Sequence, residues 1–596
     1  MEKLSLTWDL ESIYAGGSSS AQFQEELAGM ERNLAEMSRL IQSAGSADNK
    51  QAAIVSITEL VQQILLALRQ SDSFVGCLMA QNVGDAKAIA LNDRVKTISA
   101  QFNGLLTSYD ELLASLQESE WEQLLQIEAM NEVSFQLDER RKLMKEKLAP
   151  AMEALVEDLA VDGYHGWGDF YHTIVGRAKF QAVAADGTAE LLSAGQMQNR
   201  LSEPDRDLRA AAFAEWEKVW GEQAELCAEV INRISGFRLK LYNKRGWQSA
   251  LKEPLQMCRM SEKTLNAMWD AVVEGKKLLI PYLQRKASLL GVDKLDWHDV
   301  EAPLGKAART VPYEEVAAFI VQQFRGFSSE LAEFADMAIR KRWIEAEDRA
   351  GKRPGGFCTS LPKSGETRIF MTYSGSASNI STLAHELGHA YHQHVMNDLQ
   401  PLAQEYAMNV AETASTFAEL IVSEGAYQAA TDKEEQLGLL EDKIQRAVAF
   451  YMNIHARFLF ETRFYERRKQ GIVSSDELNA LMEEAQREAY SDMLGELHPH
   501  FWASKLHFYL TDVPFYNFPY TFGFLFSAGI YAIAKQEGEA FSSRYVALLR
   551  DTGSMKVEEL AKKHLEVDLE QKQFWQAAVD LVRQDVDAFL ALTDQR

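Results

Sequence analysis

Proline is scarce in this sequence, with 12 residues in 596, and glycine, at 34, is in no surplus. Collagen-like, low-complexity and disordered chains need such a surplus or an apolar deficit, and a chain that is 46% hydrophobic has neither. Cysteine is scarcer still. Cys77, Cys227, Cys258 and Cys358 stand at no metal-ligand or redox spacing, so no disulfide framework is expected and a reducing compartment is the simpler reading. The first residues, Met1 to Asp9, carry neither a basic stretch nor an apolar one, so no signal peptide is expected. The longest apolar run, Phe522 to Ala534, is interrupted by Gly523, Ser527 and Gly529 and falls short of the ~20 residues of a membrane span. Runs of Lys or Arg are also missing, and the formal charge is −25, which disfavours a nucleic-acid partner. These absences point to a soluble, cytoplasmic protein with neither nucleic acid nor membrane as partner.

What is present is helical periodicity. Phe23, Leu27, Met30, Leu34, Met37 and Ile41 recur at three- and four-residue steps across 19–45, and similar patterns run through 50–72, 86–118 and 120–160. Lys179 to Val183 and Ala189 to Leu192 flank Asp186-Gly187, the dipeptide of a tight turn, and predict a β-hairpin. Helical patterns resume near Pro204 and continue to the end, apart from a loop and strand at 351–377 and an aromatic segment at 505–524. The fold class is therefore mainly α with a little β structure. We divide it into an N-terminal helical region, 1–200, that includes the hairpin, and a helical region, 201–596, that carries the chemistry.

Eight of the twelve histidines fall between His385 and His507. Within Thr382 to His392, His385 and His389 lie about 40° apart on one helix face, one turn apart, so both imidazoles can hold one ion. Glu386 sits beside them without being a ligand, the H-E-x-x-H arrangement of zinc hydrolases. A second helical segment carries Glu412, Ser415, Thr416 and Glu419 on one face, and folding back antiparallel would bring Glu412 to the histidines. Two His and one Glu with a fourth position open is the ligand set of one catalytic Zn2+. The longer H-E-x-x-H-x-x-G-x-x-H class needs glycine at position 392 and histidine at 395, whereas this chain has His392 and Val395.

Five segments in order, Trp8 to Tyr14, Gly356-Phe357-Cys358, His385 to His392, Glu412 to Ser415 and Phe515 to Gly523, resemble the M3 zinc metallopeptidases. This is the thimet-oligopeptidase-like family, and the likeness is to its oligoendopeptidase F branch. The resemblance implies a large helical bowl enclosing a deep channel, with a small β-sheet beside the zinc site. It implies hydrolysis of internal bonds of short oligopeptides, with folded proteins excluded. It also implies His385, His389 and Glu412 as zinc ligands and Glu386 as the general base toward metal-activated water. An oxyanion donor is expected from 505–524, where His507, Tyr516 and Tyr520 are the candidates and Tyr520 is favoured. Many relatives have tyrosine directly after the glycine matching Gly523; here Phe524 stands there, which removes one hydroxyl.

The alternative within the same ligand set is a zinc carboxypeptidase or other exopeptidase, although no motif names a partner for a substrate terminus. His392 is read equally as an outer support of the metal site or as packing, and His394 as a surface or core residue. His498 and His500 are read as a solvated loop beside Pro499, and Glu419 as an exposed helix glutamate unless it orients a ligand histidine. The strand 367–373 is expected to offer an edge with which an extended peptide pairs. The motifs carry nothing about oligomeric state.

Overall fold

The computed structural model describes residues 3–44, 50–183, 188–304 and 310–594. The chain is mainly helical, with two small sheets. Strands β1 (Phe180–Val183) and β2 (Ala189–Leu192) pair antiparallel from Phe180↔Leu192 to Val183↔Ala189. The Asp186-Gly187 turn expected between them lies outside the described residues. Strands β3 (Ile344–Glu345), β4 (Phe357–Leu361) and β5 (Glu366–Phe370) form the second sheet in the order β3-β5-β4. The helices used below are α1 (Ala21–Ala44), α2 (Lys50–Gln81), α3 (Ala86–Ser115), α4 (Arg206–Lys244), α5 (Ala377–Met396), α6 (Thr413–Ala429) and α7 (Phe518–Glu537).

Their boundaries follow local chemistry. Asp85 caps α3 and Asp205 caps α4, each accepting two backbone N–H groups of the first turn. The expected helix over 120–160 is instead four short ones, Glu118–Leu124, Glu128–Asn131, Ser134–Lys145 and Pro150–Ala160. The aromatic segment at 505–524 is irregular only to Asn517, because Pro519 fits the first turn of α7, where its missing N–H costs nothing.

Packing groups the chain into two units. The first comprises Met1–Lys147, Ala308–Gly425 and Ile533–Glu566; the second comprises Leu148–Ala307, Ala426–Ala532 and Val567–Arg596. Each gathers segments from both sides of residue 200.

In the first unit, α1, α2 and α3 bury their apolar stripes against one another. By length and composition alone α2 could cross a membrane. Its buried face, however, carries Gln70 and Ser73, which hydrogen-bond Ser364 and Thr359, each at 2.7 Å. That is how a core helix beside the β4–β5 hairpin satisfies its polar groups. The same core takes in Trp8, Leu10, Ile13 and Tyr14 together with Leu361 and Phe370. The Trp8 and Phe370 rings lie 5.6 Å apart, and the fully buried Arg368 donates to the Asp9 carbonyl at 2.7 Å. The N-terminal segment thus braces β5, and β4 and β5 in turn pack against α5.

The second unit is built along α4. Phe180 of β1 stacks on Trp216, centroids 5.1 Å apart. Three of its cations have buried carboxylate partners: Lys286 with Glu441 at 2.8 Å, Arg245 with Glu153 at 2.6 Å and Arg209 with Asp299 at 3.2 Å.

Candidate metal centre and catalytic residues

Helix α5 starts where the Ser376 hydroxyl accepts the Asn379 N–H. It buries Leu383, Ala384, Leu387 and Ala390 on one side. The opposite side is left with His385 and His389, half-buried and one turn apart. Glu412 is not inside the second helix, as its spacing suggests. It stands at the junction between the short helix Met408–Ala411 and α6, with φ −83° and ψ 3°. From there its Oε2 reaches His385 Nε2 at 3.2 Å and His389 Nε2 at 3.4 Å, while the two imidazole nitrogens are 3.1 Å apart. The Ser415 hydroxyl donates to the same Oε2 at 2.9 Å and fixes its direction.

These three edges are a test of fit. Zinc bonded at about 2.0–2.1 Å in a tetrahedral set separates its ligand atoms by about 3.3–3.4 Å. The triangle of 3.1, 3.2 and 3.4 Å has that size, so His385, His389 and Glu412 suit the ion. Glu419, two turns along α6, places Oε1 3.3 Å from His385 Nδ1, the position from which a carboxylate orients a ligand imidazole. The electrostatics agree. Burial works against a charge on His385, but Glu412 and Glu419 outweigh it and hold the imidazole up at about 10. Burial of Glu412 is outweighed by the two imidazoles, which hold its carboxyl far below the usual range. Three donors shaped this way favour a cation at their centre. A second grouping, Asp296, His298 and Glu496, is different, because Arg206 already donates to Asp296 Oδ2 at 2.8 Å.

Glu386 follows His385 on α5 and is buried, with Oε1 3.7 Å from where a Cβ on Gly356 would stand. Burial pushes its carboxyl above the usual range, against the pull of His389 and His385. The glycine at 356 leaves open the space in front of this carboxylate.

The three other candidates meet within the second unit. Tyr520 Oη lies 3.4 Å from His507 Nε2, Tyr516 stacks on His507 with centroids 5.5 Å apart, and the two tyrosine rings are 4.9 Å apart. Burial, then the charges of Arg457 and Lys505, lower His507 to about 4, so its imidazole is neutral at physiological pH. Phe524 stacks on Phe450 at 4.7 Å and is buried, taking up packing instead of hydrogen bonding.

Several readings of the sequence change. His392 is fully buried, stacks on Tyr406 and hydrogen-bonds Thr552 Oγ1 at 2.9 Å, so it packs and does not support the metal donors. His498 and His500 are no solvated loop: both hold the Glu217 carboxylate, His500 at 2.6 Å. Strand β5 is central, paired with β3 on one side and β4 on the other, so the free edges for peptide pairing belong to β3 and β4.

Two functional positions escaped the sequence reading. A Cβ on Gly388 would stand 2.5 Å from the Ala414 carbonyl oxygen and 2.6 Å from Ser415 Cα, so this glycine lets α5 meet the Glu412 segment. The available signal was a glycine in a helix interior, which costs about 1 kcal/mol relative to alanine and needs a reason. Glu461 is buried and accepts the Phe515 N–H at 3.2 Å and the Asn517 side-chain N–H at 2.6 Å. It thereby holds the turn before Tyr516 and Tyr520, where Phe515 has the left-handed φ of 54°.

Known proteins resemble this chain in sequence and in fold. The model of "Peptidase family M3" matches residues 200–581, and that of "Oligopeptidase F" matches 113–180. A chromosomal oligoendopeptidase F of Lactococcus lactis subsp. cremoris is 26% identical over 346 residues, 56% of this chain and 55% of that protein. The chain thus spans just over half the length of that curated relative. A solved chain from Chlamydophila abortus superposes with TM-score 0.85 at 18% identity, covering 98% of both. Oligoendopeptidase-F from Enterococcus faecium superposes with TM-score 0.72 at 18% identity, covering 96% of this chain and 99% of that one. The fold is shared with both structures, and with the M3 family model matched across most of its length, the chain belongs to peptidase family M3.

Proposed function

We propose that the protein is a zinc-dependent endopeptidase that hydrolyses internal bonds of short oligopeptides. The observation that carries the reading is the donor triangle of His385, His389 and Glu412, whose edges suit one zinc ion. A bound zinc ion would supply Lewis-acid polarisation of the scissile carbonyl and acidify an attacking water. Glu386 takes the proton from that water at its carboxylate and delivers it to the leaving amine; its burial supports this, since a raised carboxyl exchanges a proton more readily near neutral pH. Glu419 and Ser415 orient His385 and Glu412. Tyr520 donates its hydroxyl to the developing oxyanion, with neutral His507 behind it and Tyr516 packed alongside. The preference for short peptides over folded proteins follows the oligoendopeptidase relatives.

The test uses a pool of peptides blocked at both ends, with a folded protein as size control. Internal cleavage of the pool and an intact protein are expected; an uncleaved pool sinks the endopeptidase reading. Glu386→Gln should lose turnover by several orders of magnitude while keeping its zinc in metal analysis, whereas His389→Ala should lose the metal itself. Unchanged turnover in Glu386→Gln would remove Glu386 from its role.

A further inference from the structure

Most half-buried cations in this acidic chain have a carboxylate within ion-pair reach; examples are Arg140 with Asp110 and Lys352 with Glu345. Two neighbours of the His507–Tyr520 cluster do not. Arg457, on the helix Ile454–Arg468, donates from Nε to Asn453 Oδ1 at 2.9 Å, which leaves the outer fork of its guanidinium unassigned. Its guanidinium carbon lies 5.2 Å from the centroid of the Phe501 ring, and Lys505 Nζ lies 5.2 Å from the same centroid. Two positive heads therefore share one aromatic ring, and neither has a carboxylate within ion-pair distance among the described residues. Glu301 is the one acidic group whose charge reaches both. Burial, followed by the charge of Arg457, depresses Lys505 to about 8, and burial depresses Arg457 to about 10.

Holding like charges together in a desolvated place is unfavourable unless an anion completes the set. The free fork of Arg457 has the geometry that takes a carboxylate through two parallel hydrogen bonds, and Lys505 adds a point charge. The Arg457 and Lys505 charges also reach His507, and Arg457 reaches Tyr520, so the pair belongs to the neighbourhood of the proposed oxyanion donors.

We infer that Arg457 and Lys505 recognise a carboxylate of the bound peptide, either its C-terminal group or an acidic side chain. This rests on the peptidase reading above. It gives the enzyme a preference for peptides that present an anion. Because the ion is completed by substrate, no carboxylate of the chain is needed there.

Binding is measured by fluorescence anisotropy on full-length, zinc-loaded Glu386→Gln protein, so that the peptide survives. Three labelled peptides of one sequence are compared: a C-terminal acid without acidic side chains, its amide, and the amide carrying one glutamate. At least one carboxylate-bearing peptide should bind on the order of tenfold to a hundredfold more tightly than the neutral amide. That ratio should collapse to about one when either Arg457→Gln or Lys505→Met is added, and thermal melts report that each variant is folded. Lys505→Met retains the aliphatic stem and so tests the charge even where Arg457→Gln fails to fold. The preferred peptide names the source of the carboxylate. Equal binding of all three peptides, or a preference that survives both substitutions, overturns the inference. Hydrolysis by the unsubstituted enzyme separates the two readings. Cleavage without carboxylate preference sinks the recognition site alone. Carboxylate-selective binding without any cleavage sinks the peptidase reading and leaves the site standing.

Discussion

Gly388→Ala tests whether the metal site is held by backbone packing. Considered locally, the substitution should help: alanine is favoured over glycine in a helix interior by about 1 kcal/mol. The surroundings reverse that sign. The new Cβ would meet the Ala414 carbonyl oxygen at 2.5 Å, Ser415 Cα at 2.6 Å and the Ala414 carbonyl carbon at 2.8 Å, all backbone atoms of α6. Ordinary contact begins near 3.4 Å, so α5 and the start of α6 must part by about 0.9 Å, the difference between 3.4 and 2.5. Glu412 lies two residues before Ala414 and moves with it. A zinc ligand tolerates displacement of about 0.2 Å, so the carboxylate is lost as a donor and two imidazoles remain. Zinc should bind at least a hundredfold more weakly, ~3 kcal/mol, while the fold itself loses about 1–3 kcal/mol. Competition for zinc against a chromophoric chelator measures the first quantity. The zinc-induced rise in thermal midpoint, which should shrink correspondingly, is an independent check. Wild-type zinc affinity in a folded Gly388→Ala protein would refute the argument that this close approach sets the site.

Three further outcomes are expected. Glu419→Gln should weaken zinc binding about tenfold to a hundredfold by loosening the His385 ring, and an unchanged affinity would make Glu419 a bystander. Tyr520→Phe should lower kcat by about a hundredfold or more with little change in KM; an unchanged kcat moves the donor to His507 or Tyr516. Burial, opposed by Arg238 and the donors at Phe515 and Asn517, pushes the Glu461 carboxyl up to about 8 from its ordinary 4.5. Its contribution to stability is therefore full below about pH 4.5 and is lost as pH rises through 8, with a slope of up to about 1.4 kcal/mol per pH unit. Glu461→Gln should flatten that part of the thermal-midpoint profile between pH 6 and 8, and parallel profiles for the two proteins would remove Glu461 as its source.

How far the sequence reaches depends on the range of the interaction. His385 and His389 are one helical turn apart, so their common face is written in their spacing, and the helix that carries them is found at Ala377–Met396. The Ser415–Glu412 hydrogen bond is equally local, three residues apart. The breaks in the expected 120–160 helix and the helical turn at Pro519 are also local, but they turn on caps and first-turn tolerance that periodicity does not register. The strand order β3-β5-β4 is tertiary: the apolar run at 367–373 reads the same at an edge or in the middle, and only the parallel pairing of Ile344 with Ile369 decides. Glu419 looked like an exposed helix glutamate because its partner, His385, is brought to it only by the packing of α5 on α6.

Two different devices hold the functional groups of the two units, and they respond differently to change. In the first unit the donors converge because backbone meets backbone at Gly388, with little slack for a methyl group. In the second, the turn before Tyr516 and Tyr520 keeps Phe515 at a φ that a bulky residue rarely adopts, and what restrains it is one buried carboxylate receiving two N–H groups. Steric closure of the first kind is insensitive to pH and to salt; the second kind depends on a buried carboxyl whose ionisation is opposed by burial and favoured by Arg238 and its two N–H donors. Metal affinity should therefore follow the volume of residue 388, and the ordering of the tyrosines the charge state of residue 461. Variants of either kind can then be combined additively if the two sites are energetically independent, and a departure from additivity in zinc affinity would measure the coupling between them directly.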